Sequence, residues 1–357
     1  MTLEPGLQLH LPSYRDISLG GLLDLAETAQ HAGIQQLWVT DNLQSRNAFV
    51  VLATLASRLP VRLGLAVLVQ YFRSPVDVAD AAAAISELMD DRELSLGIAR
   101  GNPGTPTLVK STRPVTFLRE TAQSLAALLA GQTVQFRDYP TLASYFNLEP
   151  GRAYRLNFQP SAPIKLYCGG NAPRSLAVGG ATMDGIVFGW TFLAAARSGR
   201  LRPLLQVAED AARAAGRRAP SPRIAEIKIY IDRDDATARQ DCRRAVGGRI
   251  LGLFQRGYTV EEYARLNIPP ADIECLFDAA RRGASSTALA ELVTDAMIDA
   301  LFVAGDPSRC RDQLTAVCEL AEAHGFQQVM FSELGENVPL ALNLLCDEVL
   351  PSFSGGG

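Results

Sequence analysis

Six polar or glycine-rich clusters follow directly on apolar runs, and these clusters hold the residue types that could do chemistry. The first contains His10, Pro12 and Tyr14, and the second is Thr40-Asp41-Asn42-Leu43-Gln44-Ser45-Arg46-Asn47. Gln70-Tyr71-Phe72-Arg73 adds aromatic surface and one fixed positive charge, and Arg100-Gly101-Asn102-Pro103-Gly104 adds a glycine turn. Gly169-Gly170-Asn171-Ala172-Pro173 and Gly189-Trp190 complete the set. His10 is an acid or base if it faces a ligand, and otherwise a satisfied structural histidine. Asp41 and Asn47 are types that also turn a chain and cap a helix. Gly101 permits close backbone approach to a flat or anionic ligand, although a tight turn uses the same residue. Gly169-Gly170 opens onto a helix started by Pro173, whose first-turn N–H groups could hold a phosphate; glycines before a proline are also ordinary loop chemistry.

Other chemistries are poorly supplied. His31 and His324, the two remaining histidines, fall on helices, so no Ser/His/Asp or Cys/His arrangement can be drawn, and no His/carboxylate cluster suggests a metal. The six cysteines are scattered, without C-x-x-C or zinc spacing, and read as reduced thiols. A mouth of glycine, aromatic and amide groups with few acids or bases points to a bound organic cofactor as the carrier of the chemistry.

The elements that must position these clusters alternate. Residues 7–12, 35–41, 61–70 and 93–101 read as strands, separated by helices at 19–33, 47–60 and 74–91; Gly33 stops the first helix, and Ser74 with Pro75 starts the third. A helix near 116–131 precedes an excursion at 132–162 with aromatics and prolines but no clear period. Alternation resumes with strands at 164–170, 184–190 and 224–232, a helix over 197–217, a mostly helical stretch to about 324, an eighth strand at 326–334 and a terminal helix. Eight strand–helix units in 357 residues predict an α/β chain forming one (β/α)8 TIM barrel, a single domain over 1–357 with insertions near 132–162 and 255–300. No G-x-G-x-x-G follows the first strand, which argues against an open dinucleotide-binding sheet. In a barrel, ligands sit where strands end, which is where the six clusters lie.

Composition narrows the partners. With 34 Lys+Arg against 38 Asp+Glu and a net charge of −4, the chain lacks the basic footprint of a nucleic-acid binder. The start, MTLEPGLQLHLPSYRD, does not read as a secretory signal, and no 18 consecutive residues are apolar, so the expectation is a cytoplasmic protein off the membrane that takes a small organic molecule.

The run AETAQHAGIQQLWVTDN, followed by VRLGLAVLVQYFRSPVDVADAAAAISELMDDRELSLGIARGN, resembles the luciferase-like flavin- and deazaflavin-dependent oxidoreductases. DNLQSRNAF is similar to the methylene-tetrahydromethanopterin reductase branch, which uses the deazaflavin coenzyme F-420. IKLYCGGNAPRSL with DGIVFG, VAGDPSRCRDQL and FQQVMFS extend the resemblance over most of the chain. It implies that His10, Gly101 and Gly189 border the cofactor, and that Gly169, Gly170 and Asn171 meet its phosphate through backbone N–H groups. It also implies that Ala66-Val67 forms a bulge with a non-prolyl cis peptide backing the ring. Asp41-Asn42 occupies the family's Asp-His pair, and Asn102 stands where a carboxylate is common. Both departures replace an ionisable group by an amide, which hydrogen-bonds but transfers no proton. The proton donor is therefore open among His10, Tyr14, Tyr71, the 132–162 excursion and the cofactor itself.

The resemblance implies hydride transfer between reduced coenzyme F-420 and an organic acceptor, with Asn42 and Asn102 flanking the ring and Gln44 and Arg46 near the substrate. The alternative is a reduced-FMN monooxygenase fed by a separate reductase, and a further one is a barrel that binds a flavin without turnover. A homodimer is expected by family analogy.

Overall fold

Caps and stops written in the sequence define the helices. Ser18, Asn47 and Ser74 each accept a first-turn N–H, and Gly33, at φ +91°, follows the first helix. The structure is a computed structural model that describes residues 3–101, 109–110 and 112–351. All eight expected strands form, and their parallel order is that of a (β/α)8 barrel. Contacts within the chain fall into two compact units.

The first unit holds Pro5–Phe188 and Leu204–Ile224. Its elements are β1 (Glu4–Leu9), α1 (Leu19–His31), β2 (Gln36–Val39), α2 (Ala48–Ala56), β3 (Arg62–Val69), α3 (Pro75–Ser86) and β4 (Leu94–Ala99). They continue with α4 (Pro114–Leu129), β5 (Val134–Gln135), α5 (Pro140–Tyr145), β6 (Ala153–Tyr154), β7 (Ile164–Cys168), α6 (Pro173–Thr182) and β8 (Gly185–Phe188). The parallel register runs Leu9–Val39–Leu65–Leu96, then Ile98–Cys168–Ile186. Between Leu65 and Leu68, β3 carries one residue more than β4, a bulge at Ala66-Val67. All of β4 is buried, as a two-sided strand requires. Where one helix was expected over 197–217, Gly199 at φ +85° separates α7 (Phe192–Ser198) from α8 (Leu201–Ala214).

The excursion at 132–162 is ordered despite its lack of period. β5 and β6 pair antiparallel, a short 3-10 turn spans Phe136–Asp138, and α5 follows. Three ties hold it to the helical layer. The buried Glu120 of α4 accepts the Leu142 N–H at 2.9 Å, capping α5 from outside. The Tyr154 hydroxyl donates to both carboxylate oxygens of Asp80 at 2.8 and 2.9 Å; desolvation and that carboxylate push its pKa up to about 12. Tyr71, Phe117, Tyr145 and Phe146 form a cluster with ring centroids 4.6–5.9 Å apart.

The second unit holds Met1–Glu4, Gly189–Pro203 and Ala225–Gly357. It contains β9 (Arg223–Ile231), α9 (Asp235–Gln255), α10 (Val260–Arg265), α11 (Pro270–Arg281), α12 (Ser286–Glu291) and α13 (Asp295–Leu301). β10 (Val303–Gly305), α14 (Pro307–Ala323), β11 (Gln328–Ser332) and α15 (Val338–Leu344) complete it. β10 is an additional short strand, parallel to the end of β9, which the sequence reading passed over. Ile250, Leu253, Tyr263, Leu276, Met297 and Leu301 bury the apolar faces of α9, α10, α11 and α13 in one core. Among the described residues no helix is long and apolar enough to cross a membrane.

Glu120→Ala removes the outside cap of α5 and leaves the Leu142 N–H buried without a partner. Urea unfolding should show a loss of about 1–3 kcal/mol, and 132–162 should become the first site of limited proteolysis.

Candidate active site

The first unit gathers the carboxyl ends of five adjacent parallel strands, and side chains tie one end to the next. Thr40 Oγ1, after β2, accepts the Leu11 N–H beyond β1 at 2.9 Å. Asp41 accepts the Val69 N–H of β3 at 3.4 Å and pairs with Arg73 at 2.6 Å, while Arg73 lies 5.3 Å from the Phe49 ring centroid. Gln70 N–H donates to Ala99 of β4, and Gly169 N–H, after β7, donates to Ile98. These bonds bring His10, Asp41, Asn42, Ala66, Val67, Gly101, Gly169, Gly170 and Asn171 to one rim. Gly189 lies in the second unit, and Asn102 lies outside the described residues.

At the centre of this rim the Ala66–Val67 peptide is cis, within the bulge of β3. Gln8, itself buried, donates from Nε2 to the Ala66 carbonyl at 2.6 Å, and its Oε1 is buried without a hydrogen-bond partner. Val67 is half-buried between fully buried neighbours. A Cβ on Gly169 would stand 2.4 Å from Val67 Cγ1, and one on Gly97 would stand 2.6 Å from the Leu65 carbonyl and 3.3 Å from Val67 Cγ1. The two glycines leave Val67 its room. Sequence reading had found one of them, Gly169, for a different reason.

Gly169, Gly170 and Asn171 are half-buried and lead into α6, whose N-cap Ala172 offers no side-chain acceptor to the first-turn N–H groups. A side chain on Gly170 would meet Ser175 Cβ at 2.5 Å, so that glycine also closes the turn onto the helix. Cys168 beneath it is fully buried; desolvation pushes its thiol up to about 11, and it serves as packing under Gly179.

The remaining predicted residues divide between fold and rim. Arg46 donates to the carbonyls of Tyr14 and Arg15 at 3.2 and 3.3 Å, fastening the loop after β1 to the loop after β2. Asn47 caps α2. Asn42 is half-buried and its Oδ1 accepts the Gln44 N–H at 3.5 Å, with Gln44 exposed. His10, half-buried, bonds Ser13 Oγ through Nδ1 at 2.7 Å, whereas Tyr14 and Tyr71 are buried.

The second unit contains a charged array that sequence reading missed. Buried Lys228 pairs with Glu226 at 2.6 Å and Glu333 at 2.8 Å, and Glu333 also pairs with Arg249 at 2.7 Å. The Tyr230 hydroxyl donates to Glu333 at 3.4 Å; burial first, and then that carboxylate, hold the phenol protonated. Glu226, Lys228 and Tyr230 alternate along β9, and this period-two run of polar residues in an apolar strand was the available signal.

Asp41 carries a pH dependence. Desolvation raises its pKa above the usual carboxylate value, against the lowering effect of Arg73 and the Val69 N–H. A raised carboxyl favours its neutral form in the folded chain, so its contribution to stability falls as pH rises through the folded pKa. Arg73→Met removes the opposing charge and lifts that pKa further. Chemical denaturation should show a loss of about 3–5 kcal/mol at pH 7.5 that shrinks as the pH is lowered and Asp41 protonates; a loss independent of pH would refute this reading.

Comparison with known proteins identifies the family. A family model described as luciferase-like monooxygenase matches residues 3–324. A 5,10-methylenetetrahydromethanopterin reductase of Methanolobus tindarius is 23% identical over 332 residues, covering 91% of this chain and 94% of its own. The enzyme of the same name from Archaeoglobus fulgidus is 26% identical over 334 residues, covering 91% and 93%. The solved coenzyme F420-dependent tetrahydromethanopterin reductase of Methanopyrus kandleri superposes with a TM-score of 0.73 at 21% identity, over 98% of this chain and 99% of that one. With the barrel, the strand 3 bulge and the glycine turn before α6 in hand, the match over nine-tenths of the chain makes it a member of the luciferase-like family.

Proposed function

We infer that this protein is an oxidoreductase that moves hydride between coenzyme F-420 and a small organic acceptor. The observation that carries the reading is the half-buried Gly169-Gly170-Asn171 turn opening on an uncapped helix, on the same rim as the Val67 bulge. The residues fit a flat ring with a phosphate arm. Ala66 and Val67 offer an apolar backing, and the first turn of α6, which Ala172 does not cap with a side chain, has the positive end of the helix behind it. The relatives named for F-420 support this choice of cofactor.

When bound, the deazaflavin supplies the hydride chemistry. This chain's part is orientation. The first turn of α6 would hold the phosphate, Ala66-Val67 would back the ring, and Gln8 fixes Ala66. Asn42, an amide, bonds ring or acceptor without exchanging a proton. Asp41 is committed to Val69 and Arg73, so its task is to hold the end of β3. Arg46 likewise shapes the rim through the backbone it binds.

The family description keeps a second reading, a monooxygenase using reduced FMN. The two separate on ligand and oxygen. Anaerobic fluorescence titration should give tight binding of coenzyme F-420 and weaker binding of reduced FMN; the reverse preference, with stoichiometric oxygen uptake on turnover, would select the monooxygenase. Cofactor binding with no turnover for any reductant and acceptor would select a binding barrel.

Ala172→Asp tests the phosphate end without breaking the fold. Ala172 is exposed and already extended, the geometry an N-cap needs. An aspartate there should raise thermal stability by about 0.5–2 kcal/mol while competing for the N–H groups a phosphate would use. Coenzyme F-420 affinity should fall at least about tenfold. Unchanged affinity in the stabilised variant would remove the phosphate from this turn.

A further inference from the structure

The charged array of the second unit ends in a group with unspent binding capacity. Arg249 gives one nitrogen, Nη2, to Glu333, yet its Nε–H is buried with no partner, and the side chain is 24% exposed. Its guanidinium lies 5.1 Å from the Trp190 ring and 5.9 Å from Phe302, and a second guanidinium, Arg256, lies 4.9 Å from the same indole. Trp190 is half-buried, and Gly252 of α9 gives it room: a Cβ there would stand 3.3 Å from the indole. Glu333 follows β11 immediately, at φ +56°, a region non-glycine residues seldom adopt, with Lys228, Arg249 and Tyr230 bonded to its carboxylate.

Lys228 is shared with Glu226, so Arg249 supplies the second charge that balances Glu333. One nitrogen suffices for that bond, and the Nε–H of the same guanidinium is left over. A guanidinium held on an aromatic face, with fork donors left over, is the group that recognises a carboxylate or phosphate. Glu333 presets its direction from below, Trp190 shields one side, and Arg256 adds positive potential from exposed solvent.

We propose that Arg249, supported by Trp190 and Arg256, is a recognition site for the carboxylate of a small organic anion. Glu333 is the residue that positions Arg249.

Trp190 is one of two tryptophans, and the other, Trp38, is fully buried, so Trp190 reports on its own site. The intact protein is titrated with benzoate at constant ionic strength, with benzamide as the uncharged counterpart and inorganic phosphate as a second anion, while tryptophan emission is followed. Benzoate should change the emission saturably, benzamide should not, and the change should vanish in Trp190→Phe. In Arg249→Gln the benzoate affinity should fall at least about tenfold, with Arg249→Lys in between because it keeps charge without the fork. A response to benzamide equal to that to benzoate, or an Arg249→Gln curve matching the wild type, overturns the proposal. A response to phosphate stronger than that to benzoate overturns the choice of carboxylate. Should Arg249→Gln fail to fold by circular dichroism, exposed Arg256→Gln carries the same comparison, with a smaller expected loss of about threefold.

Discussion

The candidate site depends on one steric fact: Val67 occupies the space that two Cβ atoms would otherwise take. Gly97 on β4 and Gly169 after β7 both lie against it. The extra residue in β3 sets a half-buried apolar side chain against those two strands. Neither glycine is there for chain flexibility, since neither adopts a positive φ. Any side chain at either position must displace Val67 or the Leu65 carbonyl, and so move the surface on which a planar ligand would rest. The surrounding contacts, Gln8 on Ala66 and Asp41 on Val69, act within this bulge and just beyond it.

Binding and stability are arranged in opposition around that surface. The helices α1, α2 and α3 close their N-termini with Ser18, Asn47 and Ser74, whereas α6 begins at Ala172 with none. Asp41 is held in low-dielectric surroundings that work against its charge, with Arg73 as the compensating group. Around the helical layer the reverse holds: Glu120 and Asp80 spend their carboxylates on fastening the 132–162 segment. A segment of weak periodicity is thereby fastened to α3 and α4.

The legible part of the fold was its period. Eight strands and the Ser74-Pro75 helix start follow from alternation and capping chemistry, and the cis peptide at Ala66-Val67 followed from the family resemblance. Elements of two or three residues, β5, β6 and β10, are too short to impose a period on the sequence. The rim residues were legible as types but not as partners. Asp41 and Arg46 look alike as polar residues after a strand, yet one binds a neighbouring strand and the other two loop carbonyls. Gln8 lay inside an apolar run, where a single amide gives no sign of the carbonyl 58 positions later that it bonds. The β9 array needed an acid from after β11 and an arginine from α9, a convergence that only the folded chain creates.

The charged array of β9 also couples its members energetically. Glu226, Lys228, Glu333 and Arg249 form a linear chain of alternating sign in which each interior member answers for two neighbours. Loss of Lys228 takes the cation from Glu226, and loss of Glu333 takes the carboxylate from Arg249, whereas joint loss of Glu226 with Lys228, or of Glu333 with Arg249, leaves the other opposite pair intact. The four residues therefore act as one electrostatic unit, and the effects of replacing them on stability do not add.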